Sequence, residues 1–576
     1  MEEIKVGKTE IISAGGCGNK ILRLLTGEAD IALFNLASSL WDTCGTEALL
    51  AACGGCVTTL VGYPLTHHQT GDVANKYGVI ATSASYSDFG RTHSELCDRL
   101  RKIPEIVELY KVAGLDVVPF QEQAVDIVRN IDGHPKTVEY FRKITGNNDI
   151  ISYCANEFEC VRYKQSNACR VRFAVGSIVP GQVNTVFCKR VVLRELPYAL
   201  EKARTLPYKV LRDVKSCLVE AAFLQSDLCQ VFCKTSQVQI ATPFDVEQDA
   251  FLDNPIDSRF ELTLFDFKEE DGWKQYPHLG DRELRAVLKS LAEFHAFFWI
   301  DKRDGNLETP TFEKTKALAG SLWKPATYWH LGQQPKGQLD NLIPSWERFL
   351  SDFEEELKIL GAEQYIKVLS TVGKRLKSVA QYVSQQSHGI ITEGTDENCT
   401  DSVEYIESFP YQTIIHGDPK APNFFFRNRN SVDDLPDVGM IDFQWTGQGL
   451  CATDVAYCLA ASGSSEILPI KDDFVPTYLH FYYDHLTKSL VKYKVATSID
   501  TAASIVPFLT FQKQYENAFL DLARIVVADH WKSIRPENFR ERKGKMSYNA
   551  YNKSLPVALW FIARTIDYLE RFAIPK

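Results

Sequence analysis

Three short apolar runs, TIIH (413–416), NFFFRN (423–428) and DVGMIDF (437–443), follow one another with turn-forming residues between them. Runs of this length, rich in Ile, Phe and Val and bounded by Gly, Pro, Asn and Asp, predict three short β-strands. The polar residues of the stretch then fall at strand ends and emerge at one edge. Asp418 and Asp442 bring carboxylates there, and Asn423 brings an amide carbonyl. Hard oxygens of this kind suit Mg²⁺, which takes a few carboxylates and completes its shell with phosphate oxygens and water.

Phosphoryl transfer asks for neutralised phosphate charge and a carboxylate that receives the proton of the attacking hydroxyl. In the kinase arrangement the base Asp and the metal-binding Asn are five positions apart, and a later Asp holds the metal. Asp418, Asn423 and Asp442 follow that order with the first spacing matched. From the same residues, a polar loop capping three ordinary strands is the alternative.

The chain of 576 residues is too long for one hydrophobic core, so two to four domains are expected. A formal charge of −10 without a long basic block argues against nucleic acid as the principal partner. The charged opening MEEIKVGKTE does not read as a signal peptide. No uncharged apolar run approaches the ~18 residues that a membrane span requires, so no membrane partner is expected. Fifteen irregularly spaced cysteines fit reduced thiols and a cytoplasmic location better than a disulfide framework. Cys53 and Cys56 form a CxxC with a Gly-Gly interior, which reads as two small thiols beside a tight turn.

Residues 1–92 alternate short apolar runs (ADIALFN, CVTTLVG, GVIATSA) around one helix, DTCGTEALLAAC. Residues 93–150 change to charged amphipathic helices, and 151–270 return to strands such as CRVRFAVG and NTVFCKRVV. Helices dominate 271–576, where DRELRAVLKSLAEFHAFFW sets Leu284, Val287, Leu288, Leu291, Ala292, His295 and Phe298 on one face. The polar stretch 392–405 reads as a loop. Two further charges stand out because each is costly alone. Lys189 lies inside the apolar run TVFCKRVV, and Glu220 lies among the apolar residues of the helical CLVEAAFL. Pairing them removes both difficulties, and a strand lysine oriented by a helix glutamate is what holds nucleotide phosphates in kinases.

Taken in order, QSNACRVRFAVG, VFCKRV, VEAAFL, LTLFDF, LAEFHAFFW, HGDPKAPNFFF, IDFQWTGQG and ATDVAYCLA resemble the aminoglycoside phosphotransferase and choline kinase-like group over about 150–576. The branch they resemble most is the CHK, or ecdysteroid kinase-like, proteins. The resemblance implies a kinase-like two-lobe α+β fold, with the N-lobe at 151–270 and a C-lobe with a helical acceptor-site insert at 271–576. It implies ATP and Mg²⁺ as cofactors and a small-molecule hydroxyl as acceptor; choline, ethanolamine, a steroid-like alcohol and a sugar all present one. Asp418 would be the catalytic base, Asn423 and Asp442 the Mg²⁺ ligands, and Lys189, positioned by Glu220, the contact to ATP phosphates. Ser166 and Asn167 would lie in the nucleotide loop, which carries Gly176 and Gly181 nearby in place of a glycine-rich run. His416 would brace the loop, and His295 is expected as a satisfied core histidine. Trp323, Trp329 and Trp346 in the insert are candidates for an acceptor wall or for core packing.

The stretch SSLWDTCGTEALLAACGGCVTTLVGYPL, beginning at Ser38, places Asp42 at a helix start, where it can cap the helix. With SAGGCGNKILRLLTGEADIALFN and NKYGVIAT it resembles the C-terminal half of the inositol monophosphatase superfamily, most nearly the 3'(2'),5'-bisphosphate nucleotidases. There Asp42 would be a metal ligand and Glu47 would lie near substrate. The family's remaining ligands come from an upstream Glu and an Asp-Pro-x-Asp-Gly-Thr motif, which residues 1–41 do not contain. The segment is expected to be a partial domain without activity. Three readings follow: a small-molecule kinase, a Mg²⁺-dependent bisphosphate nucleotidase or inositol phosphate phosphatase, and a catalytically silent kinase-like scaffold.

Overall fold

The computed structural model describes residues 11–34, 38–53, 55–62, 65, 74–75, 78–83, 93–100, 102–112, 127–155, 159–175, 182–301, 309–335, 337–360, 363–393, 404–408, 411–429 and 434–572. Gly176, Gly181 and most of the polar stretch 392–405 lie outside the described residues. The chain forms two compact units. One comprises 1–162 with 167–190, the other 163–166 with 191–576. The fold class is α+β.

In the first unit, the strands Ile31–Phe34, Val79–Thr82 and Cys56–Thr58 form an antiparallel sheet with Val79–Thr82 in the middle. The helices Cys17–Leu25 and Leu40–Ala52 accompany it, and Ile21, Leu24, Phe34, Leu50, Val79 and Ala81 make one buried cluster. The expected strands and the Leu40–Ala52 helix are therefore present. The helices of the following stretch are His93–Leu100, Pro104–Val112 and Val138–Thr145. Further along, Asn167–Val175 pairs antiparallel with Ile150–Cys154, with Cys160–Arg162 and with Thr185–Val192. Lys189 stands on the last of these, half-buried and opposite Ala168.

The second unit carries a hairpin, Pro243–Asp249 with Arg259–Leu264, and the helix Pro207–Leu224, which opens on proline at its first position. Its centre is the helix Asp281–Phe297. Asp281 and Glu283 in the first turn complement the helix dipole. Leu284, Val287, Leu288, Leu291, Ala292, His295 and Phe298 are all fully buried, as their helical spacing predicts. Each large aliphatic side chain so buried contributes about 1.5–3 kcal/mol.

The three strands predicted around the polar loop are Gln412–Ile415, Phe424–Arg427 and Asp437–Met440. They do not form a single sheet. Phe424–Arg427 pairs antiparallel with Asp437–Met440 inside a four-stranded sheet, flanked by Trp273–Lys274 and Gln239–Ile240. Gln412–Ile415 instead pairs with Gly447–Leu450, Ile415 opposite Gly447. Among the described residues no helix is long and apolar enough to cross a membrane. No disulfide links any two of the fourteen described cysteines.

Candidate functional site

The register of the two pairings brings the polar strand ends together. Phe424 is opposite Met440, so Asn423 and Ile441 face one another, and the Ile441 N–H donates to the Asn423 carbonyl at 3.1 Å. Asp442 follows at once. The Asn423 side-chain amide donates to the Asp418 carbonyl oxygen at 2.8 Å and lies 3.3 Å from Asp418 Oδ2. Because that N–H₂ is engaged by Asp418, the carbonyl oxygen of the planar amide is turned to the opposite side. Asn423 is thus in contact with Asp418, and the charge of Asp442 acts on the same carboxyl.

Asp418 and Asn423 are buried and Asp442 is half-exposed. Burial pushes the Asp418 carboxyl above its usual range. The Lys420 ammonium, 2.7 Å from Oδ2, opposes this, and the charge of Asp442 adds to it. Burial alone would pull Lys420 down, but the carboxylates of Asp418 and Asp442 outweigh it and hold the ammonium above the usual lysine range. Asp418 Oδ1 is buried with no hydrogen-bond partner. Asp442 has a left-handed backbone, φ 66°, a conformation that costs of order 1–3 kcal/mol in a non-glycine residue and clusters at functional sites.

The loop is held from behind by Asp454, on the helix Cys451–Ser462. Its carboxylate accepts the backbone N–H of His416 at 2.8 Å and of Gly417 at 3.0 Å, and its Oδ2 lies 3.1 Å from His295 Nε2. The other His295 ring nitrogen meets the Tyr482 hydroxyl at 2.7 Å, so this histidine is a satisfied core residue. His416 is fully buried, and burial lowers its pKa. Nε2 donates to the Ile441 carbonyl at 3.1 Å, while the Asp418 N–H points at Nδ1 from 3.4 Å. It braces the loop. Gly417 has φ +82°, and a Cβ there would sit 2.0 Å from the Trp445 carbonyl oxygen, so glycine is required.

Beside Asp418 stands a wall of aromatic and hydroxyl groups that sequence reasoning missed. The Tyr328 hydroxyl is 3.3 Å from His530 Nε2, and the Tyr551 hydroxyl is 3.3 Å from His530 Nδ1. Tyr328 also contacts Trp445, ring centroids 5.6 Å apart. Burial, with the Asp418 charge next in order, raises the Tyr328 pKa, and burial holds His530 down at about 4. His530 closes a π-helical turn, Val526–His530, a distortion frequent at functional sites. Of the three tryptophans singled out, Trp329 and Trp346 are core residues. Trp323 stacks on Trp445 at 5.4 Å and donates its indole N–H to the Gln444 carbonyl.

The remaining candidates are placed as follows. Glu220 is buried on the helix Pro207–Leu224, in the second unit; Lys189 belongs to the first. Ser166 is buried and its carbonyl accepts the Tyr163 N–H at 2.8 Å, closing the turn before Asn167, which begins its strand. Neighbouring Gln165 donates to Asp213 of the Pro207–Leu224 helix at 2.8 Å. Asp42 is exposed, and its carboxylate accepts the Ser39 N–H at 3.2 Å, half of a capping box; the Ser39 hydroxyl itself has no partner. Among the described residues no group of three or more His, Cys, Asp and Glu side chains is arranged to hold a metal ion. An ion at the Asp418 loop would instead take Asn423 and Asp442 and complete its shell with phosphate and water, a donor set that suits Mg²⁺. Asp418 Oδ1, a buried carboxylate oxygen without a hydrogen-bond donor, fits such a site.

Residues 338–495, which include Asp418, Asn423, Asp442 and Asp454, match the ecdysteroid kinase-like family, and residues 2–101, which include Asp42, match the inositol monophosphatase family. The human 3'(2'),5'-bisphosphate nucleotidase 1 is 38% identical over 77 residues, 13% of this chain and 25% of its own. Inositol monophosphatase 3 of Xenopus laevis is 38% identical over 99 residues, 16% of this chain and 26% of its own. The chain therefore spans about a quarter of the length of the curated relatives it matches. Among solved structures, the Plasmodium vivax ethanolamine kinase aligns over 83% of this chain and 94% of its own, with 12% identity and a TM-score of 0.30. The GDP complex of wild-type aminoglycoside 2'-phosphotransferase-IIIa aligns over 68% and 96%, with 13% identity and a TM-score of 0.26. The chain is thus ecdysteroid kinase-like over 338–495 and inositol monophosphatase-like over 2–101.

Proposed function

We propose that the protein is an ATP- and Mg²⁺-dependent phosphotransferase acting on a hydroxyl group of a small molecule. The observation that carries this reading is the Asp418 carboxylate, hydrogen-bonded through Oδ2 to Asn423, acted on by the charge of Asp442, and with Oδ1 buried without a hydrogen-bond donor. Asp418 receives the proton of the acceptor hydroxyl as its oxygen bonds to the γ-phosphorus of ATP. The bond from that phosphorus to the bridging oxygen breaks, and ADP leaves. Lys420 opposes the rise in proton affinity that burial gives the Asp418 carboxyl and presents a positive charge beside the transferred group. Asn423 and Asp442 would hold Mg²⁺, whose contribution when bound is to neutralise phosphate charge. Lys189, Glu220, Ser166 and Asn167 are assigned to the nucleotide. Tyr328, Trp445, His530 and Tyr551 are assigned to the acceptor side, where flat aromatic faces and hydroxyls favour a small organic molecule over a polypeptide.

The division into an N-lobe at 151–270 and a C-lobe at 271–576, after a partial domain at 1–92 and a helical stretch at 93–150, belongs to the same proposal. The first ninety residues are read as inactive, because the Asp42 carboxylate is engaged in capping its own helix. The test is transfer of γ-³²P from ATP to a panel of choline, ethanolamine, sterol-like alcohols and sugars. Labelled product that disappears in Asp418→Asn supports the assignment; product formed equally by that variant refutes it.

A further inference from the structure

In the first unit, Cys160 and Cys169 face each other on the paired strands Cys160–Arg162 and Asn167–Val175, and their sulfur atoms are 2.7 Å apart. The ladder sets this meeting. The Tyr163 N–H donates to the Ser166 carbonyl at 2.8 Å, so those two residues form a hydrogen-bonded pair. Antiparallel pairs alternate, which makes Arg162 with Asn167 a non-hydrogen-bonded pair, Val161 with Ala168 a hydrogen-bonded one, and Cys160 with Cys169 non-hydrogen-bonded again. Side chains approach most closely in pairs of that kind, where Cα atoms are about 4.5 Å apart, a span that a disulfide bridges.

Cys169 has a second cysteine opposite it, Cys188 on the strand Thr185–Val192. The Phe173 N–H donates to the Asn184 carbonyl at 2.9 Å, and the same alternation makes Cys169 with Cys188 a hydrogen-bonded pair, whose side chains stand farther apart. Cys160 is therefore the partner that the register favours. Its position is pinned by the preceding residue: buried Glu159 accepts from Arg172 Nε at 3.0 Å and Nη2 at 2.6 Å. Cys160 is half-buried and within reach of solvent, whereas Cys169 is fully buried.

We propose that Cys160 and Cys169 are an oxidant-sensitive pair that closes to a cross-strand disulfide when the protein meets a hydroperoxide. The Cys160 sulfur takes one oxygen of the peroxide, whose O–O bond breaks; Cys160 becomes a sulfenic acid and the reduced peroxide leaves as an alcohol, or as water from hydrogen peroxide. The Cys169 sulfur then bonds to the Cys160 sulfur. The sulfenic S–O bond breaks, and its hydroxyl leaves with the Cys169 proton as water. The hydrogen bond with Cys160, and then burial, hold the Cys169 thiol protonated beforehand, which withholds it from direct oxidation. Neither cysteine belongs to the proposed phosphotransferase machinery, so the pair stands independently of that reading.

Peptide mapping without reduction, after the folded full chain has met hydrogen peroxide and its remaining thiols have been alkylated, tests this. Trypsin cleaves after Arg162, Lys164 and Arg170, so the bond joins the peptide that ends at Arg162 to Gln165–Arg170. The expected product is lighter by two hydrogens than its parts, fragments with the link at Cys160, and separates on treatment with dithiothreitol. It is lost in Cys160→Ser and persists in Cys188→Ser. Cys160 and Cys169 that both remain open to alkylation in the wild-type chain, at a peroxide dose that oxidises the exposed Cys44, overturn the proposal whether or not the variants fold. So does a bond from Cys169 to Cys188 or to Cys154 in place of Cys160.

Discussion

The Asp454 carboxylate receives the His416 backbone N–H at 2.8 Å in the fully buried interior behind the polar loop. The same carboxylate also takes the Gly417 N–H and faces His295. One helix side chain therefore sets the backbone from which Asp418 projects. Asp454→Ala leaves two backbone donors and a histidine without their acceptor in an apolar interior, a change that costs roughly 3–5 kcal/mol. Urea denaturation measures it; a loss below about 1 kcal/mol removes Asp454 from this role.

Gly417→Ala meets two obstacles, a left-handed backbone and a carbonyl oxygen 2.0 Å from the new methyl group. Gly544 has φ +74° with nothing within 4 Å, so Gly544→Ala meets the backbone penalty alone. The expected result is a loss of about 1–2 kcal/mol at 544 and a distinctly larger one at 417. Equal thermal midpoints for the two variants contradict the close approach of Trp445.

Lys420 lowers the proton affinity that burial gives Asp418. Removing the ammonium raises the Asp418 pKa, so a base that must be ionised is lost at higher pH. Lys420→Met is expected to move the acid limb of kcat/KM upward by about one pH unit or more. A variant whose profile overlays the wild type shows that this ion pair does not govern Asp418.

These relationships differ in how far they could be read from the chain. Asp418, Asn423 and Asp442 were legible because turn residues interrupt three apolar runs and force polar groups to strand ends. The split of those strands between two sheets was not, since nothing in TIIH distinguishes Gly447–Leu450 from Phe424–Arg427 as its partner. Asp454 was seen only as part of a motif. The argument used for Lys189 and Glu220, that a lone charge among apolar residues needs a partner, applies equally to ATDVAYCLA and would have found it. Lys420 is adjacent to the loop proline and reads as an ordinary surface lysine until its ammonium is placed beside Asp418. Tyr328, His530 and Tyr551 lie up to about 220 positions apart in sequence, and no local pattern links them.

Burial raises the Asp213 carboxyl to about 6, against the helping hydrogen bond from Gln165. Folding therefore favours its protonated form. The stability this confers is complete below the ordinary carboxylate pKa near 4 and is lost as pH rises through about 6. Asp213→Asn keeps a neutral acceptor for Gln165 at every pH. Its stability relative to the wild type should rise by on the order of 3 kcal/mol between pH 4 and pH 7. Urea midpoints that differ by the same amount at both pH values refute the assignment.

Nucleotide with metal is assigned to the Asp418 loop and not to the Asp42 helix. Thermal unfolding of the full chain with and without Mg²⁺ and ATP addresses it directly, since a ligand at 100-fold its Kd stabilises a protein by about 2.7 kcal/mol. The expected result is a raised midpoint that requires both additions, is abolished in Asp442→Ala and is retained in Asp42→Ala. A midpoint that Mg²⁺ and ATP leave unmoved, or a response that survives Asp442→Ala and vanishes in Asp42→Ala, contradicts it.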